Sequence, residues 1–328
     1  MPERTHSSRQ NGGYIIKIQN VTVAGGGVLG SQIAYQCAYA GFHVTTYLRS
    51  EASVQRAQPK VARLHKIYQA ELTAAKEHGG AVSRGLIFNG DAATADYDAL
   101  LRQADEAFAH FHYETDLAAA VADADLVIEA LAEQPEAKKA FFAQLQPLLP
   151  EKTIIATNSS TLLPSVLADS TGRPGKFLSL HFANNIWKQN IAEVMGHPGT
   201  DPQAYEAVAE FAGSMGMIPM KLKKEKAGYI LNSMLVPFLM SAQELLADGI
   251  ADVETIDKTW MLSTGAPFGP FRILDIVGIT TAYNIIMNYP DATDPASLHG
   301  KLAKMLKEDY LDQGKTGINA GEGFYSYQ

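Results

Sequence analysis

Short β-branched runs alternate with longer stretches of helical periodicity through the first half of the chain. That alternation predicts βαβ units arranged around a parallel sheet. Val21 to Ala24 reads as the first strand, followed by a glycine turn and a helix that sets Ile33, Ala34, Cys37 and Ala38 on one face. His43 to Leu48 reads as the second strand, which completes a mononucleotide-binding half. Glu51 to His78 is a polar-rich helix, expected as an arm or hairpin. Gly79 to Phe111 has no pattern strong enough to assign and is expected as an insertion. Order returns at Asp125 to Glu129, an apolar run expected as a buried strand. Pro135 then opens a helix in which Phe141 and Leu145 lie four apart. Thr153 to Thr157 and Phe177 to Leu180 are the next strands.

Beyond Lys221 the strand-like runs give way to helical periodicity, and Lys221, Lys223, Lys224 and Lys226 cluster at the change. The expected organisation is a polar tail (1–13), a dinucleotide-binding Rossmann-like domain (14–223) and an all-helical domain (224–328). The longest helices of the last domain are expected near Gly228–Asp248 and Leu298–Leu311. The fold class is therefore α/β, a Rossmann-type doubly wound parallel sheet followed by an all-α C-terminal domain.

Composition narrows the function without naming it. Of 328 residues, 46% are hydrophobic and 19% charged, the balance of a soluble globular protein. Lys plus Arg number 27 and Asp plus Glu 35, a formal charge of −8, which argues against nucleic acid or an anionic membrane as partner. The apolar stretch Tyr229–Ala242 is interrupted by Asn232 and Pro237 and is too short to span a bilayer. Cys37 is the one cysteine, so no internal disulfide or zinc-finger spacing exists, no metal is expected, and a reducing, cytoplasmic setting fits. Met1 to Gly13 lacks the apolar core of a secretory signal and is expected to be frayed.

Gly25-x-Gly27-x-x-Gly30 lies between a predicted strand and a predicted helix, the setting in which this short motif gains meaning. The first glycine permits a tight turn, the second lets a pyrophosphate approach the backbone, and the third lets helix and strand pack closely. The helix N-terminus then presents partial positive charge to the phosphates. A glycine-rich turn that binds nothing is the plain alternative. At the end of the second strand, where an acid would hold the ribose hydroxyls of NAD, stand Leu48, Arg49 and Ser50. Leucine accepts no hydrogen bond, whereas an arginine beside a hydroxyl suits a 2′-phosphate. Both NAD and NADP stay open, since Arg49 is equally read as a solvated charge.

Thr157-Asn158-Ser159-Ser160 follows one strand and His181 closes the next, so both emerge at the carboxyl edge of the sheet, where ligands bind. Glu193 opens another strand-like run, and folding of the intervening loop can bring its carboxylate to the imidazole. Oxidising a secondary alcohol needs a base for the hydroxyl proton as hydride leaves carbon, and a carboxylate beside imidazole stabilises the imidazolium formed. By spacing alone, a histidine at a strand end is more often a satisfied polar residue than a catalyst.

The stretch His181-Phe-Ala-Asn-Asn-Ile-Trp-Lys-Gln-Asn-Ile-Ala-Glu193 resembles the His-Phe-Phe-Asn-Pro…Glu segment of the L-3-hydroxyacyl-CoA dehydrogenase family, 3-hydroxybutyryl-CoA dehydrogenases included. Asn158-Ser-Ser-Thr161, Ala227-Gly-Tyr-Ile-Leu-Asn232, Gly265-Ala-Pro-Phe-Gly-Pro270, Gly321-Glu-Gly-Phe-Tyr325 and Asp125–Glu133 followed by Lys138 are similar to further family segments, in order. The resemblance implies that His181 is the general acid/base and Glu193 its partner. Ser160 would hydrogen-bond the substrate 3-oxygen, with Asn232 and Asn184 placing substrate and histidine. Glu133, Lys138 and Asn158 would line the cofactor side. It also implies a homodimer formed through the helical domain and a reaction between (S)-3-hydroxyacyl-CoA and 3-oxoacyl-CoA, short-chain, using NAD or NADP. Without the family, Ser160 reads as a capping hydroxyl, Lys138 as a solvated helix charge and Asn232 as a packing residue.

Three departures bear on substrate and cofactor. Leu48 replaces the ribose-binding acid, Asn185 and Trp187 replace prolines in the loop after the histidine, and Ser233 stands where arginine is usual. Lys60, Arg63 and Lys66 could supply cations to the phosphates of an acyl-CoA, or form a solvated helix face. Two competing readings follow. One is a dehydrogenase of the same architecture for a free hydroxy acid or sugar acid, as in the related gulonate dehydrogenase and lambda-crystallin group. The other is a dinucleotide-binding protein without turnover, which would have no need of an acid/base pair beside its cofactor.

Overall fold

The computed structural model describes residues 16–88 and 91–327, and the tail expected over residues 1–13 lies outside them. The first unit runs to Ile230 and the second begins at Leu231. The described first unit opens with β1 (Asn20–Ala24), α1 (Val28–Tyr39), β2 (His43–Tyr47) and α2 (Glu51–His78). It continues through α3 (Tyr97–Ala109), β3 (His112–Glu114), α4 (Leu117–Val121), β4 (Leu126–Glu129), α5 (Pro135–Leu145) and β5 (Ile154–Thr157). The short α6 (Pro164–Leu167), β6 (Phe177–Phe182), β7 (Ile191–Met195), α7 (Pro202–Ser214) and β8 (Ile218–Leu222) complete it.

These strands form one eight-stranded sheet in the order β3-β2-β1-β4-β5-β6-β7-β8. The chain winds from β1 out to β3 and returns on the other side of β1 as β4, so a switch point lies between β1 and β4, where a ligand crevice forms. The expectation of a parallel sheet holds from β3 to β6; β7 departs from it by pairing antiparallel to β6, and β8 is parallel to β7. The reason is the short return after β6, which makes a hairpin rather than a crossover.

Alternation along the strands builds a core on each face. In β4, Leu126 and Ile128 join Ile33, Leu178 and Phe211 on one side, while Val127 joins Phe142, Ile155 and Phe177 on the other. Both faces are apolar because helices cover both.

Glu51–His78 is one continuous helix of 28 residues and not a projecting arm. Val61, Leu64, Tyr68 and Leu72 on α2 pack with Tyr35 and Tyr39 of α1 and with Ala104 and Ala107 of α3. The unassigned stretch after it therefore contains a helix, started by Asp96, whose carboxylate accepts from the Ala99 N–H at 2.9 Å.

The second unit is helical: α8 (Leu231–Ala247), α9 (Val253–Thr264), α10 (Pro270–Val277), α11 (Ile279–Met287) and α12 (Leu298–Met305). Leu239, Phe271, Leu274, Ile279, Leu302 and Leu306 form its core. Two buried aspartates tie it together. Asp257 accepts from the Phe271 and Arg272 N–H groups at 2.8 and 3.0 Å, capping α10, whose own N-cap is the side-chain-free Gly269. Asp275 accepts from Phe324 and Tyr325, fastening the C-terminal segment. Among the described residues no helix is long and apolar enough to cross a membrane.

Candidate active site

The glycine loop after β1 divides its labour as the motif requires. A Cβ at Gly25, whose φ is 127°, would meet the Ala130 carbonyl oxygen at 2.5 Å, and one at Gly30 would meet the Gly25 oxygen at 2.3 Å. Gly27 faces open space, with nothing within 4 Å of such a Cβ, and caps α1 without a side chain. The N-terminus of α1 is thus open to an anionic group such as a pyrophosphate. The Lys60 ammonium donates to the Gly26 carbonyl at 2.8 Å, which brings a cation to the loop from α2. Leu48 supplies no polar contact: it is buried with Val54 and Ala57, beneath Gly26. Arg49 is exposed, and Ser50 caps α2 by accepting from the Ser53 N–H. Arg63 and Lys66 are exposed on α2.

At the carboxyl edge, the β6–β7 hairpin sets His181 directly opposite Glu193. His181 lies one residue inside β6 rather than at its end. Its Nδ1 is 3.0 Å from Glu193 Oε2, both side chains being buried. A carboxylate only accepts, so Nδ1 carries the donated proton in this pair and Nε2 is left for chemistry. Nε2 faces Ser160 Oγ at 3.3 Å. Asn158 Oδ1 accepts from the Phe182 N–H at 3.0 Å, which joins the ends of β5 and β6 and brings Ser160 beneath the imidazole.

Tyr229, which no sequence argument singled out, completes the clamp. Its ring stacks on the imidazole with centroids 4.3 Å apart and an 11° interplanar angle. Its hydroxyl donates to the Ser159 carbonyl at 2.7 Å, and the next residue, Ile230, donates its N–H to Glu193 Oε1 at 2.9 Å. The backbone reaches this position through φ values of 79° at Gly228 and 54° at Tyr229. A tyrosine held there stores strain of ~1–3 kcal/mol, a feature concentrated at working sites. Burial pushes the Tyr229 phenol above its ordinary range, so it stays a neutral donor.

Below the crevice lies a second polar network. The Lys138 ammonium is buried and pairs with Glu129 Oε1 at 2.6 Å and with Glu133 Oε2 at 3.5 Å. Glu129 also accepts from the Leu131 N–H and Thr157 Oγ at 2.7 and 2.6 Å. Glu133 accepts from the Ser159 hydroxyl and from the Thr161 N–H at 2.8 Å. Burial works to raise the Glu133 pKa, but Ser159, Thr161 and Lys138 together hold it below the ordinary carboxylate value.

Lys138 is thus not the solvated helix charge that its position alone suggests, because its ammonium is buried against Glu129. Glu129 was hidden as the last residue of an apolar run, although an acid closing a buried strand ahead of a helical lysine is a readable signal. The structure thus assembles Ser160, His181, Glu193 and Asn158 with the glycine loop on one sheet edge. Asn184 is exposed in the turn after β6, and Asn232 lies in the first turn of α8, in the second unit.

Residues 20–225 match the family model described as the NAD binding domain of 3-hydroxyacyl-CoA dehydrogenase, and residues 228–327 match that of its C-terminal domain. The chain is 30% identical over 320 residues to the Homo sapiens mitochondrial hydroxyacyl-coenzyme A dehydrogenase, covering 95% of this chain and 92% of that one. It is 35% identical over 208 residues to a 3-hydroxybutyryl-CoA dehydrogenase of Clostridioides difficile, covering 62% and 72%. A solved diketoreductase structure, described as showing substrate-directed dual catalysis of dicarbonyl compounds, is 50% identical with a TM-score of 0.81, covering 95% of this chain and 99% of that one.

Proposed function

Because this chain belongs to the 3-hydroxyacyl-CoA dehydrogenase family, we propose that it interconverts 3-hydroxyacyl and 3-oxoacyl thioesters by hydride transfer with NAD, on short acyl chains. The observation that carries this reading is the buried His181–Glu193 pair with Nε2 turned to Ser160. When bound, the nicotinamide ring supplies the hydride site. The protein's own work is the proton. His181 Nε2 receives it from the substrate hydroxyl in oxidation and returns it in reduction, while Glu193 fixes the ring and stabilises its cationic form. Ser160 donates to the 3-oxygen, and Asn184 and Asn232 help place the substrate.

The open α1 N-terminus and Gly27 fit a dinucleotide pyrophosphate, and NAD is the cofactor that the matched N-terminal domain is named for. The ribose hydroxyls find no carboxylate at the end of β2, since Leu48 is apolar and packed. Comparing NADH with NADPH measures what Arg49 and Ser50 contribute: a preference for NADPH above about tenfold would assign them a 2′-phosphate, and one that large for NADH would remove that role. Of the three cations on α2, Arg63 and Lys66 are exposed and would meet the coenzyme A phosphates, while Lys60 is engaged by the Gly26 carbonyl of the glycine loop. A homodimer formed through the helical unit is supported by its exposed Trp260, Leu262, Phe268 and Ile276.

One observation favours a second reading, the likeness to the diketoreductase, which points to a dicarbonyl compound as substrate. Steady-state rates on acetoacetyl-CoA, a simple 1,3-diketone and a free 3-hydroxy acid decide among the readings. Acetoacetyl-CoA turned over best upholds the thioester; the diketone or the free acid turned over best replaces it.

A further inference from the structure

The turn joining β6 to β7, residues 183–190, begins two residues after His181 and ends three before Glu193, so it directly joins the two strands that carry the pair. Asn185 within it has φ 59°, a left-handed conformation that asparagine tolerates and proline, locked near −65°, cannot adopt. Fasteners from outside the sheet hold this path. Gln32 on α1 accepts the Asn185 N–H at 2.8 Å. Glu71 on α2 accepts from Trp187 Nε1 at 3.1 Å and pairs with the Lys188 ammonium at 3.1 Å. The Trp187 carbonyl accepts the Gly85 N–H at 2.8 Å, and a Cβ at residue 85 would press to within 2.8 Å of that same oxygen.

Glu71 is committed to this task. Its third donor is the Ser83 hydroxyl, from the stretch Gly79–Phe111 that carries no clear pattern. Burial works to raise its pKa, but the donors from Ser83, Trp187 and Lys188 hold it below the usual carboxylate range. The Trp187 indole is itself buried and lies 5.7 Å from the Tyr68 ring. Segment 83–86 and α2 thus hold the turn, and Asn185 and Trp187, two of the departures, are among the residues that make the holding bonds.

We infer that Glu71 is a positioning residue for substrate size: by fixing Trp187 and Lys188 it makes the 183–190 turn a rigid wall beside His181, which admits compact groups next to the reacting carbonyl and excludes long ones. The inference rests on the proposed function for its substrate class, but its structural half stands apart. A wall that cannot yield rejects added methylenes by clash, where one methylene is worth about tenfold or more in kcat/KM. A loosened wall gives way and narrows the gap.

The test compares Glu71→Ala, Glu71→Gln and Trp187→Phe with the wild type. Glu71→Gln keeps an acceptor for the indole, and Trp187→Phe keeps the packed ring while removing the N–H, so it reports even where Glu71→Ala folds poorly. Amide hydrogen exchange over 183–190 in the free protein should quicken about fivefold or more in Glu71→Ala and Trp187→Phe and little in Glu71→Gln. With NADH, the kcat/KM ratio of a ten-carbon to a four-carbon 3-oxoacyl substrate should rise about threefold or more in the same two variants, with NADH affinity unchanged. An unchanged exchange rate, or a fall in kcat/KM equal for both substrates, would overturn the inference. A wild type that turns over neither substrate would strike the proposed function instead, since the exchange measurement needs no turnover.

Discussion

Replacing Lys138 by methionine keeps the volume of the side chain and removes one charge from a pair that water does not reach. Lys138 and Glu129 side chains are 1% and 0% exposed, with 2.6 Å between Nζ and Oε1. Stranding one partner of a buried pair costs about 3–5 kcal/mol. Here the stranded carboxylate keeps two donors, the Leu131 N–H and the Thr157 hydroxyl, which places the loss at the low end, about 3 kcal/mol. For a unit of this size each kcal/mol is worth roughly 2–4 °C, so the thermal midpoint should fall by about 6–12 °C. The double variant Glu129→Leu, Lys138→Met removes both charges but leaves the Leu131 and Thr157 donors unpaired. It should remain less stable than the wild type, yet more stable than the sum of the single losses by about 2 kcal/mol. Circular dichroism melts of the four proteins at neutral pH supply the cycle. Strict additivity, or a loss below about 1 kcal/mol for Lys138→Met, would show that the ammonium reaches solvent and that the enclosed pair is not the platform beneath the crevice.

Other expectations follow from the same geometry. His181→Ala should lower turnover by about 10²–10⁴-fold while NADH affinity, read by fluorescence titration, stays unchanged; an unaltered rate would remove His181 from the chemistry. Tyr229→Phe keeps the stacked ring and loses the bond to the Ser159 carbonyl, so stability should fall by about 1 kcal/mol and kcat should fall while KM holds; a change in KM alone would contradict a positioning role. Glu133 has a folded-state pKa below its unfolded value, so its contribution to stability is complete above the ordinary glutamate pKa and is lost as pH falls through the lower folded value. Melting midpoints measured from pH 7 down to pH 3 should therefore drop less steeply at the acid end in Glu133→Gln than in the wild type; parallel curves would refute the assignment.

Much of this was readable in the chain because burial and period coincide. β1, β4 and β5 are short apolar runs covered on both faces, and the glycine spacing after β1 leaves little choice of local structure. The pairing of His181 with Glu193 was foreseeable once the intervening residues were taken as a return, since an antiparallel hairpin brings distant positions opposite each other. The helix Tyr97–Ala109 was legible in principle, since Tyr97, Leu100, Leu101, Ala104 and Phe108 recur at helical spacing after Asp96, but the irregular residues before it hid the pattern. Tyr229 escaped for a different reason: its position depends on two successive left-handed residues, and only at glycine does such a conformation leave a trace in the sequence. Lys138 and Glu71 look like ordinary helix-surface charges until tertiary packing closes over them. Their roles depend on contacts between segments far apart in the chain, which no local pattern encodes.

Because His181 and Glu193 are opposite rungs of one two-stranded ladder, their meeting reports on strand alignment itself. Side chains on a strand alternate between faces, so sliding one strand by a single rung would send one of the two partners to the far side of the sheet. The connecting residues can therefore vary in identity far more freely than in number. A lineage or an engineer reshaping the rim of this crevice can exchange its residues one for one, whereas a single insertion or deletion must be absorbed within the turn before it reaches either rung.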